Sequence, residues 1–473
     1  MPRRTIALAG AFAATFVLAA PAAADYSPGA AGAEDPYYPN AGNGGYDVSH
    51  YDLELKYDRG PNTLVGEAEI DARATQDLSR FNLDLRPFMV VSRVEVDGSR
   101  ATFTREGEHE LVITPRKGIK RGKKFEVEVD YAGNPEDVID PDESKEGWTV
   151  TDDGAFVVNE PQGSPGWYPA NDTPKDKATF DISVDVPAGI EVISNGVLDD
   201  VETKRGRTVW EWEERDPMAP YLATATNGQF ELRFGRTYGG LREYNAVDPT
   251  TRLFGQTTPN PQLAWDRITA TQPTALQLFS ELYGPYPFDS IGAIVDWAPT
   301  VFYHLESQTK ANYWVVPGVS TIVHEIAHQW FGNAVTPEQW PDIWLNEGFA
   351  RWSEWIFTEK TGGTTAQAQF DTQYAGWGAN SSLNTPPGNV GGAANLFANT
   401  VYVRGAMTLQ ALRVKIGEQA FFRTLRTWYA KYRYDNATTA DFVEVAERSS
   451  GQQLDQFFQI WIYTPGKPAA GSW

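Results

Sequence analysis

The sequence predicts a multidomain α+β protein: an N-terminal antiparallel β-sandwich-like domain followed by a mostly α-helical domain. Three observations predict it. The chain has 473 residues, more than one ordinary core accommodates. Its first half repeats a two-residue alternation of apolar and polar side chains, the mark of half-buried strands. Its second half changes to helical spacing punctuated by capping residues.

Taken in order, residues 1–24 read as a leader. Met1-Pro2-Arg3-Arg4 is basic, Ile6 to Ala20 is apolar, and Pro21-Ala22-Ala23-Ala24 offers a small-residue cleavage site before Asp25. The apolar run is shorter than the roughly 20 residues a membrane-spanning helix needs, so it is expected to be a cleaved export signal. No later stretch is long and apolar enough to span a membrane, and no membrane insertion is expected once the signal is removed. Residues 25–45, rich in Gly, Ala and Pro, read as a flexible lead-in.

The β domain is expected over 46–235. Tyr51, Leu53, Leu55 and Tyr57 alternate with Asp52, Glu54 and Lys56; Phe125, Val127, Val129 and Tyr131 alternate with Glu126, Glu128 and Asp130. Phe180, Ile182, Val184 and Val186 repeat the pattern. Asp97-Gly98, Pro187-Ala188-Gly189 and Asn195-Gly196 supply turns between such runs.

The second domain is expected over 236–473. Leu263 to Tyr283 has helical spacing interrupted at Pro273, and Ile291 to Val295 reads as a short buried strand. A helix of about twelve residues, capped by Ser320 and ended at Gly332-Asn333, is expected next. Asn346 to Lys360 is a further helix, and 363–398 reads as a long surface excursion. Thr400–Lys415, Glu418–Arg433, Thr439–Arg448 and Gln452–Ile462 read as consecutive helices.

Composition narrows the partners. Without the two arginines of the leader, 38 basic residues face 62 acidic ones, a charge of about −24. That balance excludes nucleic acid and anionic membrane as expected partners. There is no cysteine, hence neither a disulfide nor a lipid-anchoring Cys, which fits a bacterial secretory route and a secreted protein.

The chemistry concentrates in Val323-His324-Glu325-Ile326-Ala327-His328. On a helix, His324 and His328 lie one turn apart on one face, the geometry with which two imidazoles grip one Zn²⁺. The bland reading, a core helix with two satisfied histidines, spends two of only five His in the chain on one helix face. Nineteen positions after His328, Trp344-Leu345-Asn346-Glu347-Gly348 supplies a hard anionic third ligand in Glu347. Three protein ligands and an open position describe a catalytic zinc, one per chain, with Glu325 left free as general base. The expected reaction is hydrolysis of a peptide or ester bond without a covalent intermediate.

These residues resemble the aminopeptidase N and leukotriene hydrolase family of zinc metallopeptidases, the gluzincin type with eighteen residues between the second His and the ligand Glu. Trp330-Phe331-Gly332-Asn333, Trp167-Tyr168-Pro169, Asp172-Thr173-Pro174-Lys175-Asp176-Lys177-Ala178 and Tyr221-Leu222-Ala223 look like landmarks of the same family, so the resemblance spans roughly 48–468. It implies a thermolysin-like zinc peptidase domain and an aminopeptidase acting on peptides with a free N-terminus. Leu305-Glu306-Ser307-Gln308-Thr309 stands in the place of the family's Gly-x-Met-Glu-Asn motif, which implies that Glu306 binds the substrate's α-ammonium. Tyr303 and His304 depart from that motif, where Gly and a small residue are usual, and bear on substrate range. Tyr402 in Val401-Tyr402-Val403-Arg404-Gly405 is implied to donate a hydrogen bond to the oxyanion. Glu160 or Gln162, in Glu160-Pro161-Gln162-Gly163, is implied to contact the amine or line the first side-chain pocket.

The chain closes at Phe457–Ile462 and Pro465-Gly466-Lys467-Pro468 without the long helical C-terminal domain of many members, which implies a more open cleft. Two alternatives remain open at this point: a zinc endopeptidase, and a catalytically silent peptide-binding scaffold.

Overall fold

A computed structural model describes residues 26–471, and the expected export signal at 1–24 lies outside them. The β-rich part is built on an eight-stranded sheet in the order 197–204, 207–218, 178–187, 46–58, 63–74, 124–133, 89–96, 99–100. The alternation read from sequence is its inner face: Tyr51, Leu53, Leu55 and Tyr57 are buried, with Phe125, Val127, Val129 and Tyr131 and with Phe180, Ile182, Val184 and Val186. Each such side chain withdrawn from water contributes about 1.5–3 kcal/mol, which explains why one face is so uniformly apolar. Gly66 has a specific reason: it pairs opposite Tyr131, and a Cβ there would lie 2.3 Å from the tyrosine ring.

The sheet is antiparallel except at one junction, where Tyr46–Asp58 runs parallel to Ala178–Pro187. Two smaller layers pack with this sheet. One is the four-stranded sheet 27–28, 78–84, 110–114, 102–106. The other is a five-stranded sheet ordered 138–139, 145–150, 155–158, 225–228, 191–194, which faces the second domain.

The expected lead-in at 25–45 is not a loose tether over its described part, 26–45. Ser27–Pro28 pairs with the strand Leu78–Asp84, and Ala33, Tyr38 and Ala41 are buried. Asp35 accepts hydrogen bonds from the backbone N–H groups of Tyr37, Tyr38 and Trp340 at 2.8, 3.0 and 2.7 Å, strapping the segment to the helical domain. Its Gly and Pro residues serve tight turns against a packed surface, and the tyrosines supply apolar area that composition alone conceals.

The expected division at 235/236 falls inside a strand. Glu231–Arg236 pairs with Arg242–Val247, which runs parallel to Ser290–Val295 and onward to Ala311–Tyr313. Ser290–Val295 is buried throughout, as its unbroken apolar run predicts for a strand covered on both faces.

The helices follow. Helix α1, Pro261–Tyr283, is continuous through Pro273, contrary to the expected interruption. Proline inside a helix costs about 3 kcal/mol, and here a buried face of Trp265, Ile268, Ala275, Leu276, Phe279 and Tyr283 outweighs that cost. Helix α2 is Val319–His328 and α3 is Trp344–Lys360. The expected excursion at 363–398 contains a helix, α4, at Ala366–Gly376, capped by the Thr365 side chain. Helices α5, Asn399–Ile416, α6, Glu418–Tyr432, and α7, Thr439–Ser450, match the expected series. Helix α7 carries a capping box between Thr438 and Asp441. The last expected helix is divided into Asp455–Phe458 and a π-helical turn, Gln459–Tyr463. Among the described residues no helix is long and apolar enough to cross a membrane.

Candidate active site

Helix α2 presents the paired histidines. Its N-cap is Gly318 rather than Ser320, which is exposed in the first turn and caps nothing. After His328 the chain widens into a turn in which Asn333, Ala334 and Val335 donate to the carbonyls of His328, Gln329 and Trp330. Gly332 adopts φ +131° there, and a Cβ at that position would sit 3.2 Å from His328 Nδ1. The turn returns the chain to α3, whose first turn carries Glu347.

The Nε2 atoms of His324 and His328 face the same carboxylate oxygen, Glu347 Oε2, at 3.0 and 3.6 Å. One ligand atom from each of the three residues lies within 4.8 Å of the others. Both imidazoles are held from behind. His324 Nδ1 lies 2.8 Å from Glu354 Oε1, and Glu354 in turn receives Arg351 at 2.7 Å. His328 Nδ1 lies 3.1 Å from the Phe331 carbonyl. Such partners set the tautomer and leave the Nε2 lone pairs for a common centre. Two imidazole nitrogens and one carboxylate oxygen in this arrangement suit zinc.

Burial works against charge on the two imidazoles, yet the surrounding carboxylates, Glu347 and Glu354 about His324 and Glu306 and Glu347 about His328, hold both above the ordinary histidine range, so a cation bound at their Nε2 atoms would displace protons. Burial works against the charge of Glu347, yet His328 and His324 overcome it and hold the carboxyl down at about 2, so it is anionic. Glu325, alongside, is pushed up to about 8 by burial, against the lowering pull of the two histidines. A carboxylate with so poor a hold on its charge is a strong proton acceptor.

Glu306 completes a second constellation, with an atom within 4.8 Å of one from Glu325 and one from His328. Its backbone carbonyl accepts from the side-chain amides of Gln329 at 3.1 Å and Asn333 at 2.7 Å, and Tyr221 Oη reaches its carboxylate at 3.4 Å. Gln329 Oε1 also accepts from Thr309 N at 2.9 Å. The turn after the second histidine thus clamps the Glu306 loop against α2.

Tyr402 projects from α5, its ring stacked on that of His324 at 6.0 Å. Burial, with the nearby carboxylates Glu347 and Glu160, holds its hydroxyl well above the ordinary value, so it is a protonated donor at neutral pH. Helix α5 approaches α3 through Gly348 and Gly405, where a Cβ on either glycine would come within 2.8 Å of the other's Cα. That close crossing brings Tyr402 beside the histidines.

These groups line one cleft of about 300 Å³, bounded by Glu306, His324, Glu325, His328, Glu347 and Tyr402 on the helical side. The β-rich side adds Glu160, Asp142 and Ser144, and Tyr303, His304 and Phe397 complete it. His304 packs between the rings of Tyr313 and Trp314, and burial, with His324 nearby, pushes its imidazole down to about 4. Gln162 is not brought into the cleft. Its side-chain amide donates to Asp140 Oδ1 at 3.0 Å and its backbone N–H to Glu146 at 2.8 Å, which spends its polar groups on the β-rich layer.

Sequence reasoning missed Glu354, Gln329, Tyr221 and Asp142. A signal existed for the first: Glu354 lies seven residues after Glu347, two turns along the same helix face. Tyr221 and Asp142 reach the cleft only through tertiary folding.

Comparisons with known proteins agree with this geometry. A family model described as the peptidase M1 N-terminal domain matches residues 48–222, and one described as the peptidase family M1 domain matches 294–461. Aminopeptidase M1-D of Oryza sativa subsp. japonica is 26% identical over 335 residues, 64% of this chain and 36% of that protein. The chain therefore spans about a third of the length of that curated relative. The crystal structure of an M1 zinc metallopeptidase from Deinococcus radiodurans superposes with a TM-score of 0.82 at 27% identity, covering 92% of this chain and 97% of that one. A mutant of the Deinococcus radiodurans enzyme bound to a Tyr-Ser-Ala substrate superposes equally well, with a TM-score of 0.82, 27% identity and coverage of 92% and 98%. With family models matched in both halves and a solved zinc metallopeptidase superposed over nearly its whole length, this chain belongs to peptidase family M1.

Proposed function

We propose that the protein is a zinc-dependent aminopeptidase that removes N-terminal residues from peptides. The observation that carries this reading is the position of Glu306. A buried carboxylate is held by its own backbone beside Glu325 and His328, so an ammonium paired with it begins the substrate chain next to the reacting groups. A substrate that continued past this point would leave the carboxylate unpaired, at a cost of several kcal/mol for a buried charge.

His324, His328 and Glu347 would hold the zinc, which when bound supplies Lewis-acid polarisation of the scissile carbonyl and eases ionisation of water at neutral pH. The chain's own residues do the rest. Glu325 accepts the proton released as water adds to the carbonyl carbon and delivers it to the leaving amine nitrogen. Tyr402 donates its hydroxyl hydrogen to the oxyanion that develops on the carbonyl oxygen. Glu306 holds the α-ammonium, with Glu160 across the cleft. The Tyr-Ser-Ala peptide bound by the Deinococcus radiodurans protein supports a peptide substrate. The leader read at 1–24 supports export from the cell as the setting for this activity.

The test is hydrolysis of amino-acyl chromogenic amides, free and N-acetylated, with and without chelator. Free substrates are expected to turn over, acetylated ones not, and chelator to abolish turnover until zinc is restored. Equal turnover of blocked and free substrate would make the protein an endopeptidase. Turnover unaffected by chelator would remove the metal from the reaction, and an inert zinc-loaded protein would point to a binding scaffold.

A further inference from the structure

Metal-binding side chains also converge outside the cleft, on the four-stranded sheet of the β-rich part. Asp84 ends the strand 78–84, Glu110 opens the strand 110–114, and the two are paired directly across the sheet. With His109 they form a trio in which one ligand atom from each residue lies within 4.8 Å of the others. Like charges set opposite one another on a sheet repel, and here Asp84 is fully buried and Glu110 partly so. Burial raises both carboxyls to about 7, and the charge of Asp84 adds to the rise at Glu110. A comparable trio, Glu67, Glu128 and Asp130, is answered by the Arg93 guanidinium. Among the described residues no lysine or arginine forms an ion pair with Asp84 or Glu110, and Arg86 lowers Asp84 less than its hydrogen bonds do.

The polar atoms of this group are held on one side and unpaired on the other. Asp84 Oδ2 accepts from the backbone N–H groups of Gly42 at 3.0 Å and Asp172 at 2.9 Å. Glu110 Oε2 accepts from the Asn82 side chain at 2.9 Å. Asp84 Oδ1, by contrast, is buried 3.6 Å from His109 Nε2 and has no hydrogen-bond partner among the described residues. His109 Nε2 lies 2.7 Å from the Asn40 carbonyl oxygen, and its Nδ1 is likewise buried and unpartnered. Asn43, outside the trio, is 3% exposed with its side chain beside Asp84, and neither its Oδ1 nor its Nδ2 has a partner among the described residues.

Buried polar atoms are normally paired, so unpaired lone pairs on three neighbouring residues mark the place of a missing ligand. A proton shared by the two carboxylates would cancel one charge and leave the imidazole nitrogen and the Asn43 amide unpaired. A water molecule would pair some of these atoms and cancel no charge. A divalent cation does both, because it takes lone pairs from several donors at once and offsets two negative charges. An imidazole nitrogen beside two carboxylate oxygens suits a first-row ion such as Zn²⁺, whereas calcium takes oxygen ligands alone. The hydrogen bonds to Asp84 Oδ2 and Glu110 Oε2 are of the kind that orient metal-binding carboxylates.

We propose that Asp84, His109 and Glu110 form a second, structural site for a first-row divalent cation, with Zn²⁺ the best fit, that pins the lead-in to the β-rich part. Asn40 and Asn43, both from the lead-in, border the site, and Gly42 between them is already bonded to Asp84. An ion there joins the lead-in to the strands 78–84 and 110–114. In a chain without cysteine no disulfide can make that cross-link.

Metal stoichiometry tests it, independently of any turnover. Chelator-stripped protein is reloaded with Zn²⁺, freed of loosely held metal by gel filtration and analysed for zinc by atomic emission. Two equivalents per chain are expected in the parent and one in either His109→Gln or Glu110→Gln. The variant His324→Gln/Glu347→Gln is expected to keep one equivalent and to lose it when His109→Gln is added. In that double variant Zn²⁺ is expected to raise the Tm by ~3–6 °C, an increment absent once His109 is replaced. His109 and Glu110 are partly exposed, so their metal-free variants are expected to melt within a few degrees of the metal-free parent, which separates lost binding from lost folding. A single equivalent in the parent, a second equivalent that survives both His109→Gln and Glu110→Gln, or uptake of Ca²⁺ in preference to Zn²⁺ would overturn the assignment.

Discussion

Glu354 accepts from His324 Nδ1 at 2.8 Å while Arg351 holds the same carboxylate at 2.7 Å, so the orientation of the His324 imidazole is set from two turns beyond Glu347 on α3. The same helix thus provides Glu347 and the group that aims His324 toward it. Replacing Glu354 by Gln is expected to weaken zinc binding by about 10–100-fold, as is usual when such a partner is lost. Competition with a chromophoric chelator measures the affinity directly. At saturating zinc, activity is expected to return to within several-fold of the parent; unchanged affinity would reduce the contact to packing.

Tyr402 stacks on His324 and presents a protonated hydroxyl to the cleft. Tyr402→Phe is expected to lower kcat by about 10²–10³, the loss typical of one oxyanion donor, with KM and zinc content little changed. Steady-state kinetics with metal analysis checks this. A rise in KM at constant kcat would instead assign the tyrosine to uniform substrate binding.

Arg404, two residues further on α5, is fully buried and donates to the carbonyls of Trp461, Leu383, Ile460 and Thr464. It ties the last described segment to the helix that carries Tyr402. Arg404→Met fills similar volume and leaves these carbonyls without a donor, at a cost of about 3–5 kcal/mol. Denaturant unfolding is expected to show that loss, and zinc affinity at low denaturant is expected to persist because no metal-binding group touches Arg404.

Stability should also fall with rising pH through the β-rich domain. Asp176 is buried, accepts from Val48 N at 3.0 Å, and is pushed up to about 8 by burial and by Asp47. Burial likewise raises Asp84 to about 7 and Glu214 to about 8. Between about pH 4 and pH 8 such a group keeps its proton when folded and has lost it when unfolded, so the stability present near pH 4 disappears as pH climbs to 8. The Tm is expected to drop between pH 5 and pH 8.5, and Asp176→Asn to make that drop shallower. An identical slope in the variant would assign the dependence to other groups.

How much of this was legible beforehand differs by region. Strand alternation and helical spacing are local consequences of burying one face, so Tyr51, Leu53, Leu55 and Tyr57 announce their strand, and Ser290–Val295 reads as buried from its unbroken apolar run. The lead-in did not read correctly, because Asp35 and Tyr38 acquire meaning only when Trp340 lies beneath them. Pro273 misled for the opposite reason: local preference lost to packing on the far side of α1.

By itself the sequence determined how His324, Glu325, His328 and Glu347 come together. His324, Glu325 and His328 are bound to one helix face by the 3.6-residue repeat, and a turn at Gly332 followed by a second helix returns Glu347 to them at short range. Only the tertiary structure decided what surrounds that set. Glu306 and Tyr402 arrive from a distant loop and a distant helix, Asp142 and Glu160 cross from the other domain, and Gln162 turns away to Asp140. The physical reason is that the juxtaposition of His324, His328 and Glu347 is a matter of local geometry, whereas the charge and shape of the cleft are sums over elements that sequence order keeps apart.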